Sequence, residues 1–183
     1  MSAPSNLYAV LGEEPMKVLR DVLQRLADKI STNIEANGQR ASGRTQASLA
    51  VEVDADGGEL VGRSPFGTLE TGRAGGRVPY NFRDIIKQWI IDKGLAVEEV
   101  PYKRVPTMNW QPKYTPYERG LNQMAGAIAN RIAEDGTLLY REGGRADVYS
   151  NEIPAALEEV ANRIGILLVD YVNTIKLNSI EIS

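Results

Sequence analysis

Seven glycines, at positions 57, 58, 62, 67, 72, 75 and 76, crowd a stretch of twenty residues. Glycine weakens helix and strand interiors alike, so no long regular element can run through this stretch. The chain must turn here repeatedly, and whatever order it has must come from the flanks. Ser64-Pro65-Phe66-Gly67-Thr68-Leu69 reads as a short strand-like piece, and Glu70-Thr71-Gly72-Arg73 as a turn. Ala74-Gly75-Gly76-Arg77 then reads as a glycine-rich, cationic loop, followed by Val78-Pro79 and a compact amphipathic helix closed at Gly94. A flexible cationic loop held between ordered elements suits an assembly surface better than a substrate pocket.

On either side the pattern is helical. Leu19, Val22, Leu23, Leu26, Ile30 and Ile34 recur three and four apart, one apolar stripe of a helix over 15–36. Pro15 suits its first turn and Asn37-Gly38 its end. Phe82, Ile85, Ile86, Trp89 and Ile90 form a second stripe, with Trp89 assigned to the core. Leu121, Met124, Ala125, Ile128 and Ile132 mark a third helix over 117–134, stopped at Gly136. From Pro154, a fourth stripe runs through Leu157, Val160, Ala161, Ile164, Leu168, Tyr171 and Ile175.

The strand signals are shorter. Leu49, Val51 and Val53 alternate with Ala50 and Glu52, the period of a half-buried strand. Asp54-Ala55-Asp56-Gly57-Gly58 supplies a turn, and 59–63 can return as its partner. The same acidic turn lacks the twelfth-position acid of a calcium loop, so a solvated hairpin turn is the reading. Residues 137–149 read as irregular or as an edge strand. Ile180 and Ile182 alternate at the end of the chain and suggest a terminal strand. The fold expected is α+β, about four helices with a small, mostly antiparallel sheet. Residues 1–14 read as a polar arm and 15–183 as a single domain.

Between 96 and 116 the periodicity disappears. Pro101, Pro106, Pro112 and Pro116 exclude a regular helix or central strand there. Tyr102, Trp110 and Tyr114 lie in the same stretch and argue against a plain solvated linker. We read it as an inserted loop, mobile in a lone subunit, whose aromatic residues bury on a neighbouring chain.

Composition removes several function classes. The chain has no His and no Cys, which excludes disulfides, thiol nucleophiles, Ser–His–Asp triads and His-based zinc sites. Carboxylate chemistry, a Lys nucleophile and Mg²⁺ sites stay open. A net charge of −3 over 183 residues gives no global attraction to nucleic acid or anionic membrane. The apolar run Ile166-Leu167-Leu168-Val169 is far below the ~20 residues that span a bilayer. The first residues carry no basic region ahead of an apolar one, the mark of a secretory signal.

The order of elements carries a resemblance: long helix, Ala41-Ser42-Gly43-Arg44 joint, strand hairpin, Glu70-Thr71-Gly72 turn, glycine-rich loop, proline, then a helix bearing Trp89-Ile90 and Lys93-Gly94. It resembles the tail-component and head–tail connector (neck, tail completion) proteins of tailed bacteriophages, most closely over 16–95. The resemblance implies a structural virion protein, assembled in the host bacterial cytoplasm. It further implies a homo-oligomeric ring at the head–tail junction or tail end, contacting portal, connector or tail proteins, with DNA passing through the lumen and no membrane contact. It implies no catalytic residue, cofactor or metal.

For assembly, the candidates are Glu70, Arg73, Arg77, Tyr102, Trp110, Tyr114, Ile180 and Ile182. Glu70 is expected to be paired and structural, and Arg73 and Arg77 to meet carboxylates of a neighbour or passing DNA. Two other classes stand beside this one. The first is a nucleic-acid-binding accessory protein using Arg40, Arg44, Arg63, Arg73 and Arg77. The second is a carboxylate- or Mg²⁺-dependent hydrolase.

Overall fold

The computed structural model describes residues 11–103 and 111–180, apart from the side chains of Pro65 and of 175–180. The fold is α+β. Its long elements in chain order are α1 (Glu14–Ala36), β1 (Ala50–Val53), β2 (Gly58–Val61), α3 (Phe82–Asp92), α4 (Pro116–Asp135) and α6 (Ile153–Ile180). Two single-turn helices, α2 (Thr68–Thr71) and α5 (Leu138–Arg141), fall between them. Within the stretch expected as one domain, the chain forms two compact units. One comprises Met1–Gln39, Thr45–Phe66 and Ala146–Ser183, and the other Arg40–Arg44 and Gly67–Arg145.

In the first unit α1 is the centre. Val18, Val22, Ala27, Ile30 and Ile34 are buried on it, and it packs against both the hairpin and α6. Helix α1 ends where Asn37 and Gly38 return their N–H groups to Asn33 and Glu35, with Gly38 at φ 62°. The hairpin pairs Ala50 with Val61, Val51 with Leu60, Glu52 with Glu59 and Val53 with Gly58. Its turn is organised by Asp54, whose Oδ1 accepts from the N–H groups of Asp56 (2.9 Å) and Gly57 (3.1 Å). That is an Asx turn, the solvated role expected of these acids. Gly58 lies so close to α1 that a Cβ there would come 2.9 Å from Leu23 Cδ1.

Helix α6 runs antiparallel to α1. Asn33 Nδ2 donates to the Val148 carbonyl and to Glu152 Oε1, both at 3.1 Å. Arg25 pairs with Glu159, and Arg163 with Asp21. The register 33–152, 25–159, 21–163 brings Glu14 level with residue 170, so α6 continues about ten residues, or roughly 15 Å, beyond the start of α1. Val148 is fully buried and Phe66 stacks on Tyr149 at 5.3 Å between ring centroids.

The second unit is built on the pair α3 and α4. Phe82, Ile86 and Ile90, each four residues on, face Leu121, Ala125 and Ala129 at the same spacing. Alanine at the contact lets the helices approach closely. A capping box starts α4: Glu118 N–H donates to Thr115 Oγ1 and Thr115 N–H to Glu118 Oε2, with Pro116 at the first helical position.

Several expectations are corrected. The strand-like piece at 64–69 is instead a 3-10 turn, Ser64–Gly67, running into α2. For residues 137–149 the irregular reading holds and the edge strand does not: the segment is turns and bends with the single turn α5, started by Thr137, whose Oγ1 accepts from Tyr140 N–H. Residues 177–180 are the last turn of α6, not the beginning of a terminal strand. Each residue added to an established helix gains one hydrogen bond. No Pro or Gly follows Gly165, so nothing local stops α6 there. Trp89 is 38% exposed rather than core, because 82, 86 and 90 take the face toward α4 and 89 falls beside it.

Candidate assembly surfaces

The glycine-rich segment is tied by its backbone to residues 133–145 of the same unit. Gly72 ends α2 at φ 67°, and a Cβ there would lie 2.5 Å from the Tyr140 backbone nitrogen. Arg73 N–H donates to Thr137 Oγ1 at 2.9 Å, and Thr137 N–H returns to the Arg73 carbonyl at 2.8 Å. Gly76 N–H reaches the Ala133 carbonyl at 2.7 Å. A Cβ on Gly75 would come 2.5 Å from Glu134 O, and one on Gly136 2.6 Å from Arg73 O. Gly72, Gly75 and Gly136 are here for close backbone approach, and Gly76, with open space at its Cβ position, for its φ of 117°. The expectation of a flexible loop is therefore corrected: the segment is a seam joining 70–76 to 133–145.

Glu70 sits at the end of this seam, 3% exposed and the buried charged side chain among the described residues. Its carbonyl accepts from Arg145 N–H at 2.9 Å, and Gly144 lies so close that a Cβ would be 2.8 Å from that oxygen. Arg73 is half-buried rather than presented outward. Its guanidinium lies 5.3 Å from the centre of the Phe82 ring, and Nη2 donates to the Arg77 carbonyl at 2.6 Å. Its Nε is buried without a hydrogen-bond partner among the described residues. Arg77 is exposed.

Of the three other arginines considered for nucleic acid, Arg44 is drawn to Asp92 at 3.3 Å, and Arg40 and Arg63 are exposed. Arg63 belongs to the first unit and the others to the second.

The described parts of the proline-rich stretch settle on their own chain. Arg119 stacks over the Tyr102 ring at 4.0 Å and donates to the carbonyls of Val100 (3.2 Å) and Pro101 (2.8 Å). Val97 packs on the α3–α4 core, and Val100 N–H bonds the Pro116 carbonyl at 3.0 Å. Tyr102 is thus engaged within its own subunit, whereas Tyr114 is exposed with Lys113 over its ring. Trp110 and Ile182 lie outside the described residues, as does the side chain of Ile180.

Two apolar surfaces stand out that the residue-by-residue reading had missed. Along α6, Glu159 and Arg163 pair with α1, while Ile166, Val169 and Val172 are 61%, 59% and 47% exposed. Leu168 and Tyr171 are exposed as well. Their signal was visible as the run Ile166-Leu167-Leu168-Val169, but a run with apolar residues all round carries no information on which face is covered.

The second surface is a groove of about 640 Å³ in the other unit, lined by Trp89 of α3, Ile128 and Ile132 of α4, and Leu138 and Leu139 of α5. Arg131 and Arg141 flank it. Arg131 is paired with Asp135 at 2.7 Å; Arg141 is exposed and has no ion pair among the described residues.

Among the described residues no cluster of three or more Asp or Glu is placed to hold a metal ion, and no helix is long and apolar enough to cross a membrane. No family model, curated protein or solved structure matches the chain.

Proposed function

We propose that this chain is a structural subunit that assembles with copies of itself. The observation that carries the reading is the exposed apolar half of α6. Ile166, Leu168, Val169, Tyr171 and Val172 all face solvent in a single copy. Each buried aliphatic side chain is worth about 1.5–3 kcal/mol, and contiguous exposed apolar surface of this kind marks a protein contact.

The place we propose for that assembly is the head–tail junction or tail end of a tailed bacteriophage, as a ring. This part rests on the order of motifs: long helix, Ala-Ser-Gly-Arg joint, hairpin, Glu-Thr-Gly, glycine segment, proline and Trp-Ile helix. Virion partners and DNA in the lumen belong to the same proposal.

Native mass spectrometry with negative-stain imaging of the full chain tests it. Closed oligomers of one order are expected at micromolar concentration. A protein that stays monomeric alone and with head–tail connector proteins would overturn the reading.

A further inference from the structure

We propose that the cleft between α3 and the start of α4 binds a phosphate group, with Arg83, Lys87 and Arg119 as its cationic wall. This is a ligand site in a single copy and does not depend on self-assembly.

The cleft encloses about 600 Å³ and is lined entirely from the second unit. Arg83 and Lys87, one turn apart on α3, line one side. Arg119, Asn122 and Gln123, in the first turns of α4, line the other. In a chain of net charge −3 this is a local reversal of sign. Asp84 also lines the cleft, 3.3 Å from Lys87 Nζ, and offsets one of the three cations.

The two arginines are oriented without being neutralised. Arg83 donates through Nε (3.2 Å) and Nη2 to the Asn122 carbonyl, and its guanidinium lies against Gly126, where a Cβ would be 3.4 Å from Nε. Arg119 donates through Nη1 to the carbonyls of Val100 and Pro101 and is stacked over Tyr102. Carbonyl partners carry no charge, and neither arginine has an ion pair among the described residues. Most of the N–H donors of each guanidinium stay unused. The side-chain amides of Asn122 and Gln123 make no hydrogen bond among the described residues either, and add neutral donors to the same cleft.

This donor set suits phosphate better than carboxylate. A carboxylate is satisfied by one fork and one charge. A phosphate monoester carries up to two charges and has oxygens for two forks and an amide. Tyr114, exposed at the cleft, offers a flat apolar face beside them for the organic part of an ester. A nucleic-acid backbone and a small phosphorylated molecule present the same group. The arginines here are not those of the glycine segment. In sequence, 83, 87, 119 and 123 read as the solvated faces of two helices, and only the packing of α3 on α4 brings them to one cleft.

Pyrophosphate and a fluorescein-labelled oligothymidylate are titrated at low salt into the full chain, alone and in competition, with melting curves recorded for every variant. Arg83→Gln, and Arg119→Lys, which keeps the charge but loses the fork, are each expected to weaken pyrophosphate binding about fivefold. Arg77→Gln, an exposed arginine outside the cleft, is expected to leave it unchanged. Lys87→Gln, whose ammonium is held only by Asp84 among the described residues, is the variant least able to disturb the fold, and a loss of about threefold is expected from it. Displacement of the strand by pyrophosphate, with the same variants weakening both, supports the site and makes nucleic acid the source of the phosphate. Binding of pyrophosphate alone supports it with a small phosphorylated ligand as the source. No binding of pyrophosphate to the folded wild type overturns the proposal. So does equal weakening by Arg77→Gln, or an oligoglutamate that binds as tightly as pyrophosphate.

Discussion

The glycine segment 72–76 and the apolar end of α6 reverse the usual association of residue type with place. The first is rich in residues that favour loops and solvent, yet its backbone lies against 133–140 with no room for a methyl group at Gly72 or Gly75. The second is a run of four apolar residues, yet much of it stands in solvent on a helix that α1 covers along one side. What decides each is what lies opposite. At the seam a second backbone segment approaches closely enough that only glycine fits. Along α6, helix α1 covers one side as far as its own first turn, and nothing among the described residues covers the rest.

The contrast can be broken most forcefully at the seam. Gly72→Ala forces a side chain into φ 67° and against the Tyr140 nitrogen, and is expected to destabilise the fold by about 3 kcal/mol. Gly57→Ala, in the open hairpin turn with nothing within 4 Å of its Cβ position, is expected to change stability by less than ~1 kcal/mol. Urea unfolding of the two variants checks this. Equal, small effects would mean that the seam gives way and glycine is not required there.

Glu70→Ala comes next. Removing a buried carboxylate strands the groups around it, and a loss of about 2 kcal/mol is expected. An unchanged melting temperature would show that Glu70 is not structural.

At the α6 end the expectation is opposite in kind. Val169→Asp replaces an exposed side chain, so the stability of a single copy should move by less than about 0.5 kcal/mol. Assembly should be lost. Sedimentation velocity beside a denaturant titration separates the two, and a large loss of stability with assembly intact would place Val169 in a core.

The smallest effect concerns how α6 is held to α1. The Arg163 guanidinium, hydrogen-bonded to Asp21, holds its carboxyl below the usual range, with desolvation opposing and Arg25 adding to the effect. A carboxylate with a depressed folded pKa stabilises the fold above its unfolded pKa of about 4, and that contribution is lost as pH falls through the folded value. The group is exposed, so the effect is modest and screened by salt. The difference in urea midpoint between the wild type and Asp21→Asn should therefore be present at pH 7 and vanish in strong acid. A difference that persists in acid would show that Asp21 acts other than through its charge.

The helices α1, α3 and α4 and the hairpin were legible in the sequence, because three- and four-residue spacing and strict alternation reflect which side is covered; α6 was legible as a helix, but its stripe placed Leu157, Leu168 and Tyr171 inside and they are exposed. Asn37-Gly38, Gly94 and Gly136 punctuated them for the same local reason. The rest depended on partners distant in the chain. Trp89 shares the spacing of its helix but falls beside the face that α4 covers. The closeness of Gly72 to Tyr140 is a long-range fact that composition cannot carry, so the seam read as a loop. Arg73 read as outward-facing because its aromatic partner, Phe82, had been assigned only to the core. Ile180 and Ile182 alternate over too few positions to outweigh a helix already 24 residues long at Lys176.

Hydrogen exchange of the full chain, followed from dilute to concentrated solution, tests the central claim most directly. The amides of Arg73 and Gly76 should be protected at every concentration, since their partners lie in the same chain. Residues 166–172 should gain protection only as the protein assembles. The contrary result, a glycine segment that exchanges freely in the single copy and an α6 end whose protection is independent of concentration, would show that the loop and not the helix is the surface on which copies meet.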